Sequence, residues 1–215
     1  MPRHDPSEKT KSEILQTAVR LFTEKGWNNV NVEDVVKEVG VTRGAFYHYF
    51  KSREDLIMAV LEKMFIDDNP FEAASKLEGV NALEKLRFVL KVNLLSNYAS
   101  PAMAAEAHKA MDNPAIFRSE FISQLNTIAP YIEKLLIEGN QDGSFSAAYP
   151  KQTAQILALL PNKWLGHEVF KIPYEEFIDR VHFFEYLMNK LGVPVLNSEL
   201  KEIALDCYQK VKNKG

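Results

Sequence analysis

The sequence contains a single cysteine, Cys207, among its 215 residues. One thiol has no partner within the same chain, so an internal disulfide is excluded. Residues 1–11 also lack the charged and then apolar pattern of a secretory leader. The two observations together favour a reducing compartment, and we expect the protein in the cytoplasm.

Long apolar runs are also missing. The longest are short stretches such as residues 156–160, whereas a helix that crosses a membrane needs about 18 consecutive apolar residues or more. No membrane partner is therefore expected. Apolar residues nevertheless make up 46% of the chain, which is enough to bury a substantial core and argues against disorder.

An excess of positive charge is absent as well. The chain has 26 lysines and arginines against 29 aspartates and glutamates, for a formal net charge of -3. The molecule as a whole therefore has no bulk attraction for nucleic acid, and any DNA-binding surface must come from locally clustered charge.

The patterns of common enzyme sites are not found either. The sequence has no nucleophile elbow, phosphate-binding loop, paired zinc ligands or dinucleotide fingerprint. His108, His167 and His182 do not stand at ligand spacing from cysteines or acidic residues. We therefore expect no enzymatic activity, no cofactor and no metal site.

Apolar residues recur at helical spacing along nearly the whole chain, and no segment alternates as a strand would, which predicts an all-α fold. The first helix is expected to start at Ser7 and to end at Gly26, and a second to follow Asn31 and stop at Gly40. Further helices are predicted at residues 81–99, 101–111, 114–138, 150–166, 173–191 and 198–212. Pro130 and Pro161 fall inside two of them and should kink or split them, because proline lacks the backbone donor.

Two short helices separated by a tight joint stand near the N-terminus. Thr42 is the predicted N-cap of a third helix, only three residues beyond the end of the second, and this arrangement is typical of a helix-turn-helix. Ser52 and Asp55 are spaced as a capping box that begins a fourth helix reaching Phe65.

The predicted third helix and its flanks carry clustered positive charge. Residues 41–53 include three basic side chains and a histidine but no acidic residue. When successive residues are placed about 100° apart around the helix axis, the apolar residues fall on one arc and the polar residues on the other. The apolar arc contains Ala45, Phe46, Tyr49 and Phe50, and the polar arc contains Arg43, Gly44, Tyr47, His48 and Lys51.

Groups of this kind bond phosphates and guanine edges in a major groove. Arg43, near the helix start, is placed to reach bases, while Tyr47 and Lys51 favour phosphates. The backbone amides near Asn31 and Arg53 are further candidates for phosphate contacts. Two alternatives are a solvated basic surface and a helical protein-interaction or ligand-binding module without DNA binding. Two short capped helices, a tight turn between them, the separate apolar and polar faces of the third helix, and the lack of acidic residues at 41–53 occur together. Their combination favours DNA binding.

Residues 31–56 resemble the DNA-binding signature of the TetR family of bacterial regulators. The resemblance implies an N-terminal three-helix helix-turn-helix domain, joined by a connecting helix to a larger ligand-binding and dimerisation domain. It implies a homodimer, usually paired through its last two long helices, that binds double-stranded operator DNA and is released by a small-molecule effector. The domains are then 8–66, with the helix-turn-helix at 31–50, and 67–215. The DNA-binding residues implied are Thr42, Arg43, Gly44, Ala45, Tyr47, His48, Lys51 and Arg53, the last of them a phosphate contact. Asn31 is a further candidate, from its place at the N-terminus of the second helix.

The remaining predictions concern the second domain. Asn93 and Asn97 share a face of one helix with apolar residues, and Trp164 and His167 lie one turn apart, so these four are candidate effector contacts. Ordinary structural roles are the alternative for each. Apolar residues spaced by fours and threes form a candidate dimer seam, unless they face the monomer's own core. The seam contains Phe177, Val181, Phe184, Met188 and Leu191, with Ile156, Leu157, Leu160 and Trp164 on the preceding helix.

Overall fold

The structure of the protein is a computed structural model that describes residues 6–99, 111–165 and 172–212. Within these residues the secondary structure is helical and contains no β-strand, as the sequence predicted. The α-helices are α1 (Pro6–Lys25), α2 (Val32–Val39), α3 (Arg43–Tyr49), α4 (Arg53–Asp67), α5 (Pro70–Ser75), α6 (Ala82–Ala99), α7 (Pro114–Ser123), α8 (Ala129–Asp142), α9 (Pro150–Leu160), α10 (Tyr174–Lys190) and α11 (Ser198–Lys212). The predicted helix at 101–111 lies almost wholly outside the described residues.

The chain forms two compact units. The first contains the residues up to Asn69 together with a segment that ends at Glu120. Its core is built from the inner faces of α1 to α4 and includes Ile14, Phe22, Phe46 and Ile57, all with at most 1% of their surface exposed. The apolar arc predicted for the third helix therefore packs inward, which leaves the other arc of this short helix outside.

The N-terminal caps of this unit largely follow the predictions. Asn31 accepts from the backbone N–H of Asp34, and the Asp34 carboxylate accepts from the N–H of Asn31, each at 2.9 Å, which completes a capping box. Ser52 accepts from the N–H of Asp55 at 3.1 Å. The second half of the box predicted there is wrong, since Asp55 accepts from the N–H of Lys51 instead.

The helix ends also follow the sequence, with one exception. Gly40 ends α2 with φ of 77° and ψ of 29°, a left-handed conformation that glycine adopts without steric cost. Gly26, after α1, also has a positive φ. The first helix begins at Pro6 rather than at a cap on Ser7, because proline tolerates the first turn, where its missing N–H has no partner to lose.

The second unit contains α5, α6 and α8 to α11. The sequence did not predict α5, a six-residue helix that buries Phe71 and Ala74. The helix expected at 114–138 is interrupted by a π-helical segment, Gln124–Ile128, just before Pro130. A second π-helical segment, Pro161–Leu165, begins at the other internal proline. Both prolines therefore split their helices as predicted.

The predicted dimer seam on α10 is wrong. Phe177, Val181, Phe184 and Met188 are buried within the monomer, and Phe177 stacks on Tyr208 of α11 with ring centroids 4.5 Å apart. A heptad-like spacing identifies an apolar face but not the helix that covers it, and here α11 takes part in covering it. The opposite face of α10 exposes aromatic side chains.

The described residues, 6–99, 111–165 and 172–212, contain neither a candidate membrane span nor a candidate metal site. Within those ranges, no helix is both long and apolar enough to cross a membrane. In the same part of the chain, no cluster of three or more histidine, cysteine, aspartate or glutamate side chains is arranged to hold a metal ion.

Candidate nucleic-acid interface

The candidate interface is the outer face of α3. The helix has only seven residues, so its ends must be fixed by side chains and packing. The Thr42 hydroxyl accepts from the N–H of Ala45 at 3.1 Å, and the N–H of Phe50 donates to the carbonyl of Phe46 at 2.9 Å. Phe46 itself is fully buried and anchors the helix to the core.

The polar arc of α3 faces outward as the sequence predicted. Arg43, Gly44, Tyr47, His48 and Lys51 are all exposed, and the Tyr47 side chain shows 44% of its surface although it is aromatic. Ala45 is half-buried. Thr42 is exposed, but its hydroxyl already accepts the capping hydrogen bond. The outer face thus combines a guanidinium, an ammonium, an imidazole and a phenol, which are donors for phosphate oxygens and base edges.

An acidic residue joins this face, which the sequence did not suggest. Glu33, in the first turn of α2, forms an ion pair with the Arg43 guanidinium, with 2.6 Å between Oε1 and an Nη atom. Both side chains are more than half exposed, and an exposed pair of this kind is worth only about 0–1 kcal/mol. A DNA phosphate can therefore displace Glu33 from the Arg43 guanidinium at little cost in free energy.

Arg53, at the start of α4, is used inside the first unit. Its Nε donates to the carbonyl of Val30 at 2.9 Å, and one terminal nitrogen donates to the carbonyl of Trp27. The guanidinium carbon also lies 5.9 Å from the ring centroid of Phe22. These contacts connect the start of α4 to the end of α1 and the segment that leads into α2.

The other predicted backbone contacts stand beside acidic side chains. Asn31 precedes a first turn that contains Glu33 and Asp34, and the first turn of α4 contains Glu54 and Asp55. Carboxylates stabilise helix N-termini but compete with an incoming phosphate for the same amides. The exposed basic side chains of the interface are therefore Arg43, which is paired with Glu33, and Lys51.

Gly44 is a further feature of the exposed face. Its φ is not positive, and a Cβ added there would come no closer than 3.9 Å to the Thr42 hydroxyl. The fold therefore has room for alanine at this position. Since alanine is the better helix former, the protein's own packing does not explain the glycine.

Of the four predicted effector residues, Asn93 and Trp164 have described side chains. Asn93 is half-buried on α6 and already has an interaction within the protein. Trp164 packs edge-to-face against Phe183 and lies under the Arg180 guanidinium, whose carbon is 5.1 Å from the ring centroid. The side chain of Asn97 and the whole of His167 lie outside the described residues.

The second unit instead contains an apolar cavity of about 80 Å³. It lies between α6, the π-helical segment Pro161–Leu165, α10 and α11. Neither Asn93 nor Trp164 is among the residues that line it, although the flanking Leu94 and Leu165 are. The sequence did not predict this cavity, because the candidate contacts were chosen for polar groups on their side chains, and the side chains of its described lining residues have none.

Two family models match the chain. Residues 14–60 match the model of bacterial regulatory proteins of the tetR family, and residues 101–187 match a tetracyclin repressor-like C-terminal domain. The first match contains the whole helix-turn-helix described above, and the second covers much of the following helical region.

Individual relatives agree with these matches. The chain is 44% identical over 48 residues to the uncharacterized HTH-type transcriptional regulator YuxN of Bacillus subtilis, across 22% of this chain and 16% of YuxN. It is 26% identical to the transcriptional regulator AcuR of Cereibacter sphaeroides across 80% of each protein. In YuxN and three other curated regulators the matched part spans less than two thirds of the relative's length.

The fold is shared with solved structures. A crystal structure of RolR in complex with resorcinol matches with a TM-score of 0.66 at 18% identity, covering 92% of this chain and 94% of that one. At this level of identity the likeness concerns the fold.

Proposed function

The chain belongs to the tetR family of bacterial regulatory proteins, and on that premise we propose that it is a sequence-specific transcriptional repressor released from DNA by a small molecule. It binds a palindromic operator as a homodimer, and α3 of each copy enters the major groove. Residues 8–66 form the DNA-binding domain, and 67–215 form the effector-binding and dimerisation domain. Such a repressor works beside the bacterial chromosome, in the cytoplasm.

The observation that carries the proposal is the outer face of α3. Arg43, Tyr47 and His48 are exposed on a helix whose opposite face is buried, and Lys51 is exposed just beyond its end. Tyr47 keeps 44% of its surface exposed although its ring meets Phe46 edge-on, and the packing does not require glycine at position 44. Both residues suit a surface that approaches a duplex closely. Asn31, Thr42 and Ala45 contribute by fixing the position of the two helices, and Arg53 by fixing α4 to them.

The experiment that tests this proposal measures binding to the duplex upstream of the protein's own reading frame, by fluorescence anisotropy at two salt concentrations. Tyr47→Ala should weaken binding by about tenfold or more, since a good phosphate or base contact contributes about 1–3 kcal/mol. Tyr149→Ala is the matched control, because Tyr149 is 70% exposed and lies in the second unit. Equal affinities for both variants would contradict the assignment of α3.

The dimer surface proposed here is the exposed face of α10. Phe183 and Tyr186 show 52% and 58% of their surface and lie about one turn apart. Aromatic side chains are enriched at the centres of protein interfaces and cost free energy when left in water. Trp164, which belongs to the π-helical segment, packs against Phe183 and extends the same apolar surface.

Analytical ultracentrifugation tests the dimer surface. Phe183→Glu should shift the protein toward monomer, because a carboxylate would be desolvated in the interface. Phe121→Glu is the matched control on α7, where Phe121 is 38% exposed. If Phe183→Glu remained a dimer at the wild-type concentration dependence, the interface would lie elsewhere.

A further inference from the structure

The described residues that line the cavity of the second unit all have apolar side chains. α6 contributes Leu90 and Leu94, the π-helical segment contributes Pro161 and Leu165, and the other described lining residues are likewise aliphatic or aromatic. Protein cores are packed so closely that voids much larger than a water molecule are few. The cavity of about 80 Å³ is partly open, and its surface is mainly apolar. Water inside it therefore finds few of the polar partners, about two to four, that an ordered water usually has.

The walls of the cavity are held in place from outside. The Arg87 guanidinium donates to the carbonyls of Pro194 and Val195 at 2.8 and 3.0 Å, which fixes the segment that leads to Leu196 on the cavity wall. Lys201 on α11 pairs with Glu185 on α10 at 2.9 Å.

An ion pair between Lys91 and Glu199 further connects α6 with α11. These charged groups flank the cavity, and none of its described lining residues is charged.

The π-helical segment gives the cavity one irregular wall. Proline at position 161 has no N–H to donate, and the helix widens over the next residues. Single π turns within helices occur frequently at functional sites. Here the widened turn places Pro161 and Leu165 in the lining, while Trp164 of the same turn faces Phe183.

From these observations we infer that the effector site is this cavity, and that the effector presents an uncharged apolar group to it, such as the edge of an aromatic ring with its methyl substituent or an alkyl chain of a few carbons. A carboxylate or ammonium inside would have no counter-charge and no hydrogen-bond partner among the lining side chains, so charged molecules of the same shape are excluded. That the ligand acts as an effector rests on the proposed function, whereas the binding of an apolar molecule does not.

Thermal unfolding of the full chain with toluene, and separately with benzoate, tests the inference. The two probes share a ring and differ by the charged group. We expect toluene to raise the melting temperature progressively with concentration, as a ligand of the native state does, and benzoate to leave it unchanged. Equal shifts with benzoate, or no shift with toluene, would overturn the inference.

Two variants locate the binding. Ala204→Leu extends a lining residue of α11 into the cavity and should weaken toluene binding by about tenfold or more. Ala73→Leu, the same change at an exposed position of α5, should leave it unchanged. Leu94→Ala enlarges the cavity and should shift the preference from toluene toward naphthalene, which keeps the test decisive if Ala204→Leu does not fold. Unaltered binding in the cavity variants would place the ligand elsewhere and refute the inference.

Operator binding in the presence of toluene separates this inference from the proposed function. Loss of DNA affinity at toluene concentrations that shift the melting temperature supports both. Toluene binding without a change of DNA affinity supports the apolar cavity and contradicts ligand release. DNA binding by a protein that does not bind toluene supports the regulator and refutes the cavity as its effector site.

Discussion

Replacement of Arg53 distinguishes a residue that holds the fold from one that binds DNA. The resemblance to the TetR family implies a phosphate contact at this position, yet the guanidinium donates to the carbonyls of Val30 and Trp27 and lies over Phe22. We therefore predict that Arg53→Gln lowers stability and removes no phosphate contact. Arg53→Lys should have a smaller effect of the same kind, because lysine keeps the charge and hydrogen-bond donors but lacks the planar fork that reaches both carbonyls.

The magnitude follows from the contacts that are lost. Hydrogen bonds that involve a charged group contribute about 1.5–3 kcal/mol each, and a partly exposed cation–π contact adds about 0.5–1 kcal/mol. Arg53 is only half-buried, so the lower values apply. The free energy of unfolding of the first unit should fall by about 2–4 kcal/mol in Arg53→Gln and by about half as much in Arg53→Lys.

Urea unfolding followed by the fluorescence of Trp27 measures this loss. The chain has two tryptophans, so a Trp164→Phe background leaves Trp27 as the only reporter. Its ring stacks on Phe22 with centroids 4.8 Å apart and will respond to disruption of the contacts around Arg53.

The salt dependence of DNA binding supplies the second readout. Each phosphate contact adds about 0.9 to the slope of log affinity against log salt concentration. Arg53→Gln should leave this slope unchanged, while Lys51→Gln, at an exposed position, should reduce it by about 0.9. A reduced slope for Arg53→Gln with unchanged urea stability would refute the reasoning and make Arg53 a phosphate contact.

Three further predictions concern other groups. Gly44→Ala should raise the free energy of unfolding by about 0.5 kcal/mol yet weaken operator binding in anisotropy titrations; undiminished affinity would mean that no backbone approaches DNA there. Glu33→Gln frees Arg43 from its ion pair and should tighten binding by up to about fivefold, whereas weaker binding would show that Glu33 positions Arg43 for DNA. Hydrogen bonds from Ser144 and from the N–H of Ala82 lower the pKa of Asp142, so its stabilising effect is present at neutral pH and is lost as the pH falls below about 4. The difference in urea stability between wild type and Asp142→Asn should therefore shrink in acid, and a difference independent of pH would contradict this assignment.

The sequence predicted local features of the interface well, because local rules govern them. Caps at Asn31 and Thr42 and the left-handed Gly40 depend on residues a few positions apart, and all three are found in the structure. The sorting of α3 into two faces follows from the helical repeat alone. Contacts such as Glu33 with Arg43 join separate helices, so their geometry depends on tertiary packing that spacing does not reveal.

The second unit was harder to predict for the same reason. The apolar stripe of α10 was real, but its partner is α11 of the same chain, and the spacing of Phe177, Val181 and Phe184 contains no information on that choice. Helix α5 is too short to give a periodic signal. Pro161 predicted an interruption, but not that the interruption would be a π turn lining an apolar cavity.

Selection of bound sequences from a pool of random duplexes tests whether α3 of a homodimer reads an operator. We expect a palindromic consensus whose half-sites are centred about 10 base pairs apart or at a multiple of one DNA turn, and loss of the enrichment with Tyr47→Ala. Failure of the wild-type protein to enrich any sequence would contradict this expectation, as would a consensus that Tyr47→Ala enriches equally well.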